Sequence, residues 1–179
     1  MRRSLTLALI ACAGLALADA PRIKREAIEK LEETFDRALV AGKVPCDLLG
    51  NTRGVYLEGY GAVFTSMVSL VFTPTPNPFR DFTKKDVADI HQKKLQQIPV
   101  LKEKMRDMLL TMAASSSLDS VRPSEQMVCG VTLYYYKWED QSGLPSQIVM
   151  QAEKQKLLDV QNGRAARGDL DSIVKVQEF

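Results

Sequence analysis

The stretch from Ala62 to Thr73, with the stop behind it, constrains this chain more than any other feature. It is rich in valine, phenylalanine and threonine, as strands prefer. Phe64, Ser66, Val68, Leu70 and Phe72 share one face, and Val63, Thr65, Met67, Ser69 and Val71 share the other. Neither face is fully polar, so the strand is expected at the centre of a sheet covered on both sides. Thr73-Pro74-Thr75-Pro76-Asn77-Pro78 then ends it, because proline has no amide to give to a ladder.

The flanking segments supply elements for such a sheet. Ile28, Leu31, Phe35, Ala38 and Leu39 recur at three- and four-residue steps and predict a helix from Pro21 to Ala41, stopped at Gly42. Gly54 to Glu58 reads as a short strand or strand start, and Gly59-Tyr60-Gly61 as a turn or bulge. A long helix is predicted over Thr83–Ala114, capped by Thr83 or Asp81, with Asp86 in its first turn. Ile98, Leu101, Met105, Met108, Leu109 and Met112 form its stripe, and Pro99 predicts a kink or short break near Gln96–Pro99. Ala113 to Glu125 reads as a surface connector. Met127–Trp138 is expected as a strand, Ile148-Val149-Met150 as its partner, and Ile173–Phe179 as a terminal strand. A short helix from Gln151 or Ala152 to Val160 comes between the last two.

This order describes an α+β domain over residues 19–179: a mostly antiparallel sheet of about five strands packed with two long helices and one short one. The order of elements is similar to that of roadblock- and profilin-like folds. The likeness implies an architecture and no activity.

Residues 1–18 read as a secretory signal peptide. Arg2 and Arg3 precede an apolar run from Leu5 to Leu17, and Ala16 and Ala18 suit a signal peptidase. The run is shorter than the roughly 20 residues of a bilayer span, so no transmembrane segment is expected in the mature chain. The expected location is the bacterial periplasm or the extracellular space. Leu9-Ile10-Ala11-Cys12 resembles a lipobox and gives the alternative, a lipid anchor through Cys12, although no polar tether follows. Loss of Arg2 and Arg3 brings the 24 basic residues level with the 22 acidic ones, which removes any charge argument for nucleic acid.

Cys46 and Cys129 would remain after export, either as a disulfide or as two free thiols. Arg53, Tyr56, Glu58 and Tyr60 gather a guanidinium, a carboxylate and two phenols near a glycine-bearing turn, a combination suited to a small ligand or a protein partner. The bland reading has Arg53 and Glu58 as an ordinary ion pair. Tyr134, Tyr136 and Trp138 would share one face of a strand, and Trp138 joins the candidate binding residues. His91 is the sole histidine and reads as a satisfied helix residue, so no metal site and no cofactor is expected. Arg167-Gly168-Asp169 matches an integrin-binding tripeptide that carries little information out of context. The chain therefore reads as an exported, non-enzymatic binding or assembly module, with self-association among its expected behaviours. The alternative is a small extracytoplasmic hydrolase using Glu58 with a remote carboxylate or polar partner.

Overall fold

A computed structural model describes residues 23–41, 46–71 and 82–179. The predicted signal peptide, Cys12 and the proline-rich stop lie outside the described residues. Ile28, Leu31, Phe35 and Leu39 form the buried stripe of α1 (Arg25–Val40). Two antiparallel strands follow, β1 (Cys46–Leu57) and β2 (Gly61–Leu70). β1 starts well before the predicted Gly54, because its first residues pair with the far end of β2, Cys46 opposite Leu70. Gly59 turns the chain at φ 77°, and Gly61 lies at φ 142°. A Cβ on Gly61 would fall 1.9 Å from the Gln126 carbonyl oxygen, so only glycine lets the next strand begin here.

Helix α2 (Lys84–Ala114) opens on a capping box. Thr83 Oγ1 accepts the Asp86 N–H at 3.2 Å, and Asp86 Oδ2 accepts the Thr83 N–H at 3.0 Å. The helix runs on through Pro99, and the predicted short break does not occur. Pro99 lies on the exposed side, while Ile98, Leu101, Met105 and Leu109 hold both halves against the core. The segment after α2 departs from the predicted surface connector. It makes a 3-10 turn at Ser116–Leu118 and buries Leu118, Val121 and Glu125. Lys154, itself buried, donates from Nζ to the Leu118 and Val121 carbonyls at 2.8 and 2.9 Å and ties this turn down.

The chain then forms β3 (Gln126–Leu133), β4 (Gln147–Glu153), α3 (Lys154–Gln161), a 3-10 turn at Arg167–Asp169, α4 (Leu170–Ile173) and β5 (Lys175–Glu178). β3 ends at Leu133 and not at Trp138. α3 starts at Lys154, because Gln151 and Ala152 are spent pairing with Val128 and Met127. Ile173 belongs to α4, so the terminal strand is shorter than predicted. The Arg167-Gly168-Asp169 run is locked in its turn, with Arg167 ion-paired to Asp107 of α2.

The strands lie side by side in chain order, β1-β2-β3-β4-β5, and only β2 and β3 are parallel. The sheet is thus α+β and mostly antiparallel, as expected. The helices share one core with one face of it. Phe64, Val68 and Leu70 of β2, Met127, Cys129 and Val131 of β3, and Ile148 and Met150 of β4 all point there. Phe35 of α1 meets Phe64 edge-on, ring centres 5.1 Å apart. The described residues do not cover the sheet on both sides, contrary to expectation, although Ser69 and Val128 on the second face are buried. Among the described residues no helix packs on the opposite face, where Thr65 and Met67 are exposed.

Helix α1 also closes the outer edge of β1. Asp36 accepts the Thr52 N–H at 2.8 Å, and Glu32 accepts the Gly54 N–H at 2.6 Å. Arg25 donates to the Gly54 carbonyl at 3.1 Å and is ion-paired to Glu32. The match is geometric: side chains four apart on a helix rise about 6 Å, and alternate strand residues are about 7 Å apart. Gly54 is needed for the approach, since a Cβ would lie 2.5 Å from the Phe64 ring and 2.6 Å from Ile28.

Cys46 and Cys129 are both buried free thiols. Cys46 pairs with Leu70 and Cys129 with Phe64, so β2 runs between them for about 20 Å. No bridge can span that distance. Cys46 donates to the Leu39 carbonyl at 3.4 Å, and burial pushes the Cys129 thiol up to about 12. Both thiols should resist alkylation in the folded protein and react once it is unfolded in guanidinium without reductant. Mass spectrometry of the alkylated chain checks this, and a Cys46–Cys129 peptide dimer would contradict it.

Candidate functional site

The uncovered sheet face is built by parity. Register places Val55, Val63, Val128 and Gln151 in one row across β1 to β4, and Arg53, Thr65, Gly130 and Val149 in the next. Met67 and Thr132 follow, then Ser69 of β2 reaches the level of Tyr134 beyond β3. Val55 is 49 % exposed, Leu57 47 %, Met67 44 % and Tyr134 44 %. A Cβ on Gly130 would find only its own sheet around it, with Thr65 Cγ2 nearest at 3.4 Å and Val149 Cγ2 at 4.0 Å. β2 and β3 present no charged side chain on this face. Its charges are confined to the flanking strands: Asp47, opposite Ser69, and Arg53 on β1, Glu153 at the end of β4 and Lys175 on β5. Solvated sheet faces ordinarily alternate toward polar residues, so this one is unusually bare.

An aromatic ladder closes one end of the face. Although the strand stops at Leu133, Tyr134 still donates its N–H to the Val68 carbonyl at 2.8 Å, which keeps the backbone extended. The predicted alternation survives at Tyr134 and Tyr135. The chain then turns at Lys137–Trp138, where Glu139 donates its N–H to the Tyr136 carbonyl at 3.0 Å, and Trp138 joins the ladder from that turn. Tyr134 meets Tyr136 edge-on at 5.3 Å, Tyr136 stacks on Trp138 at 5.9 Å, and Trp138 stacks on Phe82 at 3.9 Å. Tyr135 turns the other way, over the core.

That inward side fixes the ladder to α2. Lys94 and Glu139 form a fully buried ion pair, and Lys94 Nζ lies 4.9 Å from the centre of the Tyr135 ring. The Tyr135 hydroxyl donates to the Pro145 carbonyl at 2.7 Å, and His91 Nδ1 donates to the Asp140 carbonyl at 3.0 Å. His91 is the satisfied helix residue expected. Burial first, and then the Glu139 carboxylate, push the Tyr135 phenol up to about 12.

The sequence-predicted binding residues are scattered over the molecule. Arg53 borders the uncovered face and also lines an open cleft of about 230 Å³ between α1 and β1, with Arg25, Glu29, Glu32, Glu33, Asp36, Asn51 and Thr52. Glu32 and Asp36 are engaged there by the strand amides. Tyr56 points to the core side, where its hydroxyl reaches Glu125 Oε2 at 3.1 Å. Glu125 also accepts the Gly59 and Arg122 amides at 3.2 and 2.9 Å, so this buried carboxylate pins the β1–β2 turn. Burial, then Glu125, raise the Tyr56 phenol above its ordinary value. Tyr60 and Glu58 are exposed at the turn, outside the cleft, and no ion pair joins Arg53 to Glu58 among the described residues. Trp138 lies beyond the opposite end of β3, about 25 Å from the turn. The residues the sequence reading missed are Val55, Leu57, Val63, Met67 and Val128. The alternation of Val63 and Met67 is legible in the chain, but it does not tell an open face from a covered one.

Among the described residues no cluster of histidine, cysteine and acidic side chains could hold a metal ion, and no helix is long and apolar enough to cross a membrane. No family model, curated protein or solved structure matches the chain.

Breaking the buried pair on one side should be costly. Lys94→Met leaves Glu139 charged and unpaired, and should destabilise by about 3–5 kcal/mol. Lys94→Met with Glu139→Leu should recover most of that loss in urea denaturation. A double variant as unstable as the single one would contradict the pairing. Alkaline pH offers a second check. Tyr135 and Cys129 rise to about 12 from ordinary values of 10.0 and 9.0, so the fold disfavours their ionised forms. Their contribution is full below about pH 9 and is lost as pH climbs towards 12. The melting temperature should fall across that window, and Tyr135→Phe should flatten the upper part of the fall.

Proposed function

We propose that this chain is an exported, non-enzymatic binding or assembly module of the periplasm or extracellular space, and that it binds through the uncovered face of its sheet. One observation carries the reading: an open sheet face spans β1 to β4, uncharged along β2 and β3 and with charge only on the flanking strands, and Val55, Leu57 and Met67 stand exposed on it, with Tyr134 extending it. Exposed aromatic and methionine side chains around a flat β-branched surface have the composition of an interface core, with Arg53 at its rim. The signal-like sequence at Arg2–Ala18 supports export. The hydrolase alternative finds less support, because Glu58 stands exposed at a turn and the cleft carboxylates Glu32 and Asp36 already bind strand amides.

Cross-linking in living cells tests this reading. A photo-reactive amino acid replacing Met67 should give covalent protein adducts in the extracytoplasmic fraction, whereas the same residue replacing Lys93, exposed on α2, should not. A chain kept in the cytosol would refute export. Equal labelling at both positions, or none at 67, would refute the face.

A further inference from the structure

The binding reading leaves the partner open, and the geometry points to a second copy of this chain. We propose that two copies pack sheet to sheet through the uncovered face, about a twofold axis, to give a four-layer helix–sheet–sheet–helix dimer. The inference rests on the proposed role of that face and adds its occupant.

Three features argue for a second copy. The first is closure of both edges. Helix α1 occupies the free amides of β1 at Thr52 and Gly54, while β5 is short and carries Lys175 and Glu178. Strand addition is therefore disfavoured at either side, and the face is the route left for association. The second is charge placement. Valine, threonine, glycine and methionine fill the middle of the face, and Asp47, Arg53, Glu153 and Lys175 ring it. A twofold axis through the middle lays neutral surface on neutral surface and leaves the charged rims near solvent. A strongly charged partner would find no counter-charge in the middle.

The third is area. Five strands about 4.8 Å apart and rows running some 23 Å along β2 and β3 give each copy about 550 Å², so a pair buries about 1,100 Å² in total, just above the roughly 1,000 Å² that a specific interface must clear. Small and β-branched residues keep the face flat, which suits two sheets stacked about 10 Å apart. The Tyr134–Tyr136–Trp138 ladder stands at one end, where it borders the partner's sheet and helps set the register.

Light scattering on the purified protein at about 100 μM, enough to populate even a weak micromolar dimer, should give twice the chain mass. Met67→Lys and Thr65→Glu place charge at exposed positions in the middle of the face. Each should weaken dimerisation at least about tenfold, given that a desolvated unpaired charge is strongly disfavoured. Both should keep the wild-type circular dichroism and melting behaviour of the monomer, and Lys93→Glu should leave the dimer intact. A monomer at that concentration, or a dimer indifferent to both substitutions, overturns the proposal. If the cells yield position-67 adducts of a different protein while the purified chain stays monomeric, the binding face stands and the second copy does not. If neither adducts nor dimer appear, both readings fall.

Discussion

The parallel pairing of β2 with β3 governs the rest of the architecture. Antiparallel neighbours can be joined by a tight turn, but parallel ones require the chain to travel back the length of the strand. Here the return is made by α2, whose 31 residues cross one face of the sheet. α1 precedes the crossover and packs beside it, with Phe35 against Phe64, while α3 packs against α2 on the same side. One crossover, with no second helical return, covers one face. Among the described residues, the lack of a helix on the other face follows from topology, not from any local oddity of its residues.

Irregular segments in this fold are held by buried polar groups as well as by apolar contact. Lys154 gathers two carbonyls of the turn after α2, Glu125 gathers two amides and a phenol at the β1–β2 turn, and Lys94 with Glu139 fastens the segment after β3. In each case the residue answers backbone or charge that would otherwise be buried without a partner. Such groups add modestly to net stability, yet they penalise any alternative path of the loop, because leaving one unpaired costs far more than pairing it gains.

Much of this could be read from the chain. The stripe of α1, the Thr83 cap with Asp86 and the two β hairpins follow from periodicity and capping chemistry, which act within a few residues. The errors have a common cause in long-range pairing. β1 extends to Cys46 because Leu70 is opposite, and Ala152 is a strand residue because Met127 is opposite. Neither partner is near in sequence. The same limit hid the site: Val63, Thr65 and Met67 look alike whether a helix covers them or not, and only the route of α2 decides. Arg53 and Tyr56 stand three residues apart in the chain, but nothing local tells that Arg53 edges the uncovered face while Tyr56 turns inward to Glu125.

The coincidence of strand order with chain order has a consequence for a chain that emerges gradually, whether from a ribosome or through a membrane pore. Each strand, as it appears, adds to the growing margin of what has already formed, and nothing must be inserted between earlier strands. The trailing margin is sealed first, since α1 leaves ahead of β1 and its contacts to Thr52 and Gly54 span only 16 and 22 residues. Only one margin is therefore exposed to misassembly at any moment, and the one long delay is the passage of α2 before β3 arrives.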